Sequence, residues 1–220
     1  MRRRAYLLAI AVAMLVLGRL ILLAQNAPQH RPPDSASEHI KALEDPGRDA
    51  WQQPETVIDS LGIRPGDDVA DLGAGFGYFT IRLARAVAPG GRVYAVDVDP
   101  QMLEYIDRRA QEEQLDNIQT ILADPHDPKL GSSSVDLIFV CNTLHHISDR
   151  AKYYPLLAQA LKLGGRLVNI DFQKRTLPIG PSVEMKIAKK DSIKELEPSG
   201  FRLVKEFDFL KYQYFLVFER

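Results

Sequence analysis

The run Asp71-Leu72-Gly73-Ala74-Gly75-Phe76-Gly77 sets three glycines at alternate positions, the first of them two residues after an acid. Glycines there let the backbone turn sharply and let a ligand come close where a Cβ would collide. A helix starting after them presents unsatisfied N–H groups, a natural seat for an anion. That anion is pyrophosphate in a dinucleotide, or the methionyl carboxylate in S-adenosylmethionine (SAM). Spacing separates the two, because a dinucleotide loop needs G-x-G-x-x-G and Tyr78 stands after Gly77. A phosphate loop fails as well, since no lysine follows. Further along, Val96-Asp97-Val98-Asp99 ends a second apolar run, and Asp97 there can accept both hydroxyls of a ribose. Asp99, before Pro100, reads as a helix N-cap. Ala123-Asp124-Pro125 ends a third run, where Asp124 can accept from an adenine amino group, with Asp127 as its substitute. Asp71 faces a methionyl ammonium, ties loop amides together, or does both. Three acids on three successive strand ends converge on one crevice.

After the fourth apolar run come Asn142, Thr143, His145 and His146. Either histidine can take a proton near neutral pH; the alternative is that one caps a turn and the other packs. They are poor metal ligands, because adjacent histidines diverge and no thiolate or carboxylate joins them at metal-site spacing. No metal is expected. Tyr78 and Tyr153 are candidates for lining an acceptor pocket. Cys141, the single cysteine, ends an apolar run and reads as a packed thiol.

These residues need a scaffold that brings strand ends together, and the apolar pattern supplies one. Pro54 opens a short helix with Val57, Ile58 and Leu61 on one face. Strands are expected over 67–72, 92–96, 118–122, 135–141 and 166–171, with helices over 77–87, 100–113 and 149–161 between them. Strands this continuously apolar suit a parallel sheet covered on both faces, and repeated strand–helix units give a doubly wound α/β fold. The tail differs: a helix near 189–198 precedes two alternating runs, 201–209 and 212–219, separated by Leu210 and Lys211. That is a hairpin, where a dinucleotide-binding half would continue with another parallel strand.

The chain of 220 residues is 45% apolar and 26% charged, ordinary globular composition. Its net charge of −1 argues against nucleic acid as a partner. At the N-terminus, Arg2, Arg3 and Arg4 precede an apolar segment over 5–24, interrupted by Gly18 and Arg19. As a helix it would span roughly 30 Å, about a bilayer's hydrocarbon core. A retained signal-anchor is the preferred reading and a cleaved signal peptide the rival. The arginines favour a cytoplasmic N-terminus, which sets the domain outside the cytoplasm, away from the usual SAM supply; a cytoplasm-facing domain stays open. The Pro-rich stretch after it reads as a tether, giving a segment 1–24, a tether 25–48 and a domain 49–220.

Asp71 to Gly77, Asp97, the Asp124 segment, Val135-Asp136-Leu137 with Leu144-His145-His146, and Leu161-Lys162-Leu163-Gly164-Gly165-Arg166-Leu167 together resemble the class I SAM-dependent methyltransferases. The likeness is strongest to the small-molecule subgroup that includes ubiquinone/menaquinone biosynthetic methyltransferases. It implies a seven-stranded sheet of order 3-2-1-4-5-7-6 with strand seven antiparallel. It also implies SAM as methyl donor, the loop residues Gly73, Ala74, Gly75 and Gly77 on its methionyl part, Asp97 on ribose and Asp124 on adenine. Asp71, Val98 and Asn142 complete the expected SAM-binding set, and His145 and His146 are the catalytic candidates. The acceptor is expected to be a small molecule. One departure stands out: the link from Phe172 to Met185 is short, so any substrate cap is minimal. The rival readings are a membrane-tethered SAM-binding module without catalysis and a nicotinamide-dependent oxidoreductase.

Overall fold

The computed structural model describes residues 47–220; the apolar segment 1–24 and the tether up to residue 46 lie outside the described residues. In chain order the elements are α1 (Arg48–Gln52), α2 (Pro54–Leu61), β1 (Val69–Leu72), α3 (Thr80–Val87), β2 (Val93–Asp97), α4 (Pro100–Glu112), β3 (Ile118–Leu122), β4 (Val135–Cys141), α5 (Arg150–Ala160), β5 (Leu161–Phe172), α6 (Lys189–Leu196), β6 (Arg202–Phe207) and β7 (Gln213–Glu219). The seven strands form one sheet in the order β3-β2-β1-β4-β5-β7-β6. β7 runs antiparallel to both neighbours, β5 and β6. Sheet order and antiparallel strand match what the resemblance implied.

The central strands are buried on both faces, as their unbroken apolar runs require: all of β1 is buried, and Leu137, Ile138, Phe139 and Val140 of β4 are fully so. Each such large side chain contributes about 1.5–3 kcal/mol. Because β1 to β5 are parallel, their C-terminal ends share one rim, and the loops leaving that rim carry the acids picked out above. The opposite rim is fastened electrostatically. Lys162 lies 2.8 Å from both Asp68 and Asp136, and Asp136 also accepts the Asp68 amide at 2.8 Å. Burial works against the Asp136 charge, yet Lys162 and that amide hold its pKa below the ordinary value.

Several boundaries differ from expectation, and four of them have a visible cause. β5 begins at Leu161 rather than Arg166: Val135 pairs with Leu161 and Leu137 with Arg166, so residues 162–165 loop out of register. The hairpin connection covers 208–212, because Phe209 turns in against Phe207 and Phe215, each 5.9 Å between ring centroids, and leaves the ladder. α3 starts at Thr80, since Gly77 to Phe79 complete the turn. Finally, α1 begins at Arg48, the last residue assigned to the tether. Gln53 follows it in the left-handed region (φ 48°), turning the chain sharply into Pro54 at the head of α2.

Candidate functional site

The loop after β1 spends most of its own amides. Gly73 and Ala74 both donate to the Val96 carbonyl (2.8 and 3.1 Å), Gly75 donates to Asp97 Oδ2 (2.8 Å) and Gly77 donates to the Ala74 carbonyl (3.0 Å). Each glycine has its own reason. A Cβ on Gly73 would fall 2.2 Å from Thr143 Oγ1, so this position lets the segment after β4 close over the loop. A Cβ on Gly77 would sit 3.0 Å from Ile106 of α4, a packing reason for the glycine. Gly75 adopts φ 54°, and nothing lies within 4 Å of where its Cβ would be. That open cradle is what a ligand pressed against the backbone needs, and SAM fits it. Ala74 is buried against Leu103 and Ile106 and acts as packing.

Asp71 is buried at 3% exposure and accepts the Thr80 hydroxyl at 2.6 Å. Burial raises its pKa to about 7; the Thr80 hydroxyl and amide pull it back and the Asp97 charge pushes it further up. Asp71 therefore sits at the N-terminus of α3, where the sequence reading had seated a ligand's anion. An internal acid already fills that place.

Over this loop lies α1. Tyr78, whose hydroxyl donates to Asp49, has the Arg48 guanidinium 3.8 Å above its ring and that of Arg82 at 4.5 Å. Trp51 packs 5.9 Å from Phe172 and 6.4 Å from Tyr212, and Gln52 donates to Gln213 Oε1 (2.8 Å). A helix of five residues thus spans from the glycine loop to the hairpin. Burial and the Asp49 hydrogen bond raise the Tyr78 pKa, so it is a spacer between arginines and not an acid–base group. Tyr153, 4% exposed, belongs to the main core.

On the β2 side, Asp97 Oδ1 accepts the Asp99 amide (3.0 Å), and Asp99 caps α4 as expected, accepting from the Gln101 amide (2.9 Å). With one amide on each oxygen, the Asp97 carboxylate is held rigid and keeps lone pairs for two hydroxyls. Val98, beside it, is 55% exposed and Leu122 of β3 is 56% exposed, an apolar pair at the rim suited to a flat base. Asp124 is exposed, and its Oδ1 accepts the His126 amide at 2.9 Å. Asp127 pairs with Lys129 at 2.9 Å.

On the β4 side, Asn142 takes φ 58°, a conformation asparagine tolerates better than most residues. Its amide donates to Ile170 (2.8 Å) and its Oδ1 accepts from Gln213 Nε2 (2.7 Å), which completes a relay Gln52–Gln213–Asn142. His145 Nδ1 lies 2.8 and 3.0 Å from the two oxygens of Asp171, and both side chains are buried (2% and 0% exposed). Asp171 Oδ1 also accepts the Phe172 amide (2.8 Å). The carboxylate selects the tautomer with the proton on Nδ1 and leaves Nε2 as the basic nitrogen. His146 is exposed and packs at a tilt against His145, 4.2 Å between centroids. Burial pushes the Cys141 thiol up to about 12, an unreactive group, as its apolar run suggested. Among the described residues no group of three His, Cys, Asp or Glu side chains gathers as metal ligands.

The rim therefore brings together Asp71, Gly75, Asp97, Val98, Asn142 and His145, with Asp124 at its outer edge. Sequence reasoning passed over Asp171 and Arg48. Asp171 had the signal used for the other acids, an aspartate ending an apolar strand. Arg48 had none, because α1 is too short to show a period.

Residues 69–165 match a family model described as a methyltransferase domain. A ubiquinone/menaquinone biosynthesis C-methyltransferase of Hahella chejuensis is 29% identical over 124 residues, 56% of this chain and 50% of that protein. An uncharacterised 37.1 kDa transposon protein of Streptomyces fradiae is 37% identical over 112 residues, 51% of this chain and 32% of that protein. The chain thus spans half or less of the length of these relatives. The crystal structure of a SAM-dependent methyltransferase from Aquifex aeolicus superposes with a TM-score of 0.79 at 28% identity, covering 85% of this chain and 99% of that one.

Proposed function

We propose that this chain, a class I SAM-dependent methyltransferase by fold, motif set and likeness, moves the methyl group of SAM to a small-molecule acceptor at the C-terminal rim. The observation that carries this reading is the open cradle at Gly75, with the Asp97 carboxylate bonded to the same residue's amide. Gly75 admits the ligand, Asp97 takes the ribose hydroxyls, Val98 supports the adenine edge with Asp124 beyond it, and Asn142 offers its side-chain Nδ2 from the β4 side. Gly73, Ala74 and Gly77 shape the loop without touching the ligand.

Transfer is an in-line displacement: a lone pair of the acceptor forms the bond to the methyl carbon as the carbon–sulfur bond breaks. Its electron pair stays on sulfur, giving S-adenosylhomocysteine. Alignment of the two reactants supplies most of the rate. Where the acceptor arrives protonated, His145 Nε2 takes the proton and Asp171 stabilises the resulting imidazolium, a contribution of roughly 10²–10⁴ in rate. His146 packs outside this base and is its substitute as proton acceptor. The names of the biosynthetic relatives make an electron-rich ring of the quinol class the first acceptor to assay. We read residues 1–24 as a signal-anchor with a cytoplasmic N-terminus, which holds the domain at a membrane where such an acceptor would dissolve; fractionation of the full chain with membranes tests this.

The test of the activity is incubation of the full chain with methyl-labelled SAM and a lipid extract. Label in an extractable product, lost in His145→Ala, is the expected result. SAM binding without any labelled product would favour a non-catalytic SAM-binding module instead.

A further inference from the structure

Two arginines flank Tyr78, and they differ in how they are satisfied. Arg82 donates from Nε to Glu55 (3.0 Å) and from Nη1 to the Tyr78 carbonyl (2.7 Å), with Asp49 at 3.5 Å. Arg48 makes no ion pair among the described residues, and its buried Nε has no hydrogen-bond partner. Burial lowers its pKa, while Cys141, Tyr78 and Asp71 are near enough to raise it again. A guanidinium stays charged even so, and a half-buried unpaired one is costly unless an anion completes it. Its neighbours locate that anion: Tyr78 follows the glycine loop, Asp71 precedes it and Cys141 ends β4, so Arg48 hangs over the methionyl end of the site.

At the same end the glycine loop has few amides left for an anion. The amides of Gly73, Ala74, Gly75 and Gly77 are all committed within the protein, and Asp71 fills the N-terminus of α3. A ligand carboxylate arriving there meets an acid and, along the glycines, donors already in use. Resting on the reading of the rim as a SAM site, we propose that Arg48 is the binding residue for the α-carboxylate of SAM, with its planar fork steadied on the Tyr78 ring. Asp71 then faces the α-ammonium, so a carboxylate and a guanidinium grip the two ends of the amino-acid group and set its direction. Guanidinium and carboxylate match as a two-pronged pair. α1 becomes part of the site, and through Trp51 and Gln52 the grip is tied to the β5–β7 side where the acceptor is expected.

The test is calorimetric titration of the full chain and of Arg48→Met and Arg48→Lys. The ligands are S-adenosylhomocysteine and its decarboxylated analogue, which keeps the amine. Wild type should prefer the carboxylate-bearing ligand. Arg48→Met should weaken it by roughly 10- to 100-fold, the worth of a charged hydrogen-bonded pair, and leave the analogue within about twofold. Arg48→Lys should fall between and carries the test if the Met variant melts early. Equal weakening of both ligands would reduce Arg48 to a prop for Tyr78, and unchanged homocysteine-ligand affinity would place the carboxylate elsewhere; either overturns the proposal alone. If wild type binds neither ligand, the SAM reading itself fails with it.

Discussion

At the N-terminal rim of the sheet, Lys162 sits 2.8 Å from two carboxylates, and Arg166 donates to the Leu61 carbonyl at 2.8 Å. At the C-terminal rim, Arg48 has no carboxylate partner among the described residues, Asp71 is buried with its pKa raised to about 7, and Asn142 holds a positive φ. One edge of the same sheet has these charges answered from within the chain. The other keeps an unpaired cation, a buried acid and exposed apolar side chains at Val98 and Leu122. The difference teaches where the fold stores its function. Charges satisfied internally fasten strands, and charges left open define a ligand by complement.

The sharpest break between the rims should come from the buried dyad. His145→Ala or Asp171→Asn should lower the rate of methyl transfer by roughly 10²–10⁴ for a protonated acceptor, with S-adenosylhomocysteine affinity little changed; single-turnover kinetics separate the two. Second is Gly75→Ala, which puts a Cβ into the open cradle at positive φ. It should weaken S-adenosylhomocysteine at least tenfold while costing only about 1 kcal/mol of stability.

Next is pH. A ligand ammonium beside Asp71 favours its charged form, so binding releases a proton whenever Asp71 is protonated beforehand. Affinity should therefore rise with pH by up to about tenfold per unit below about 7 and level off above it. Asp71→Asn should flatten that profile. In the ligand-free fold the sign reverses. The folded pKa lies above the ordinary 3.8, so the protonated form's stabilisation is complete below that value and is lost as pH rises through about 7. Denaturant melts at pH 5 and pH 8 check it, with the Asn variant losing less stability between them than wild type.

The N-terminal rim should respond in stability alone. Lys162→Met should cost about 1 kcal/mol, since all three side chains of the cluster are about a third exposed to solvent, and should leave ligand affinity unmoved. Leu163→Ser, on a fully exposed side chain of the looped-out stretch, should change stability by no more than about 0.5 kcal/mol.

Most of the sheet was legible because each strand announces itself as a short apolar run, and the closing hairpin through its alternation. Asp71, Asp97 and Gly75 were legible because strand ends in a parallel sheet share a crevice, so residue type and position sufficed. Gly77 has a second reason that spacing hides: a Cβ there would press on Ile106, and only coordinates reveal a glycine required by packing. Arg48 was hidden because its meaning lies in what it lacks, and an unsatisfied guanidinium is a property of neighbours, not of sequence. The relay from Gln52 through Gln213 to Asn142 joins residues 161 and 71 positions apart, beyond any local pattern.

The central claim is that the C-terminal rim is built for an adenosyl amino acid. Titration of the full chain with S-adenosylhomocysteine and, separately, with NAD tests it most directly, in wild type and in Asp97→Ala. The account predicts micromolar binding of the first ligand, none of the second, and loss of the first in a variant that still melts cooperatively. Binding of NAD without any response to S-adenosylhomocysteine, or unchanged affinity in the folded Asp97→Ala protein, would contradict it.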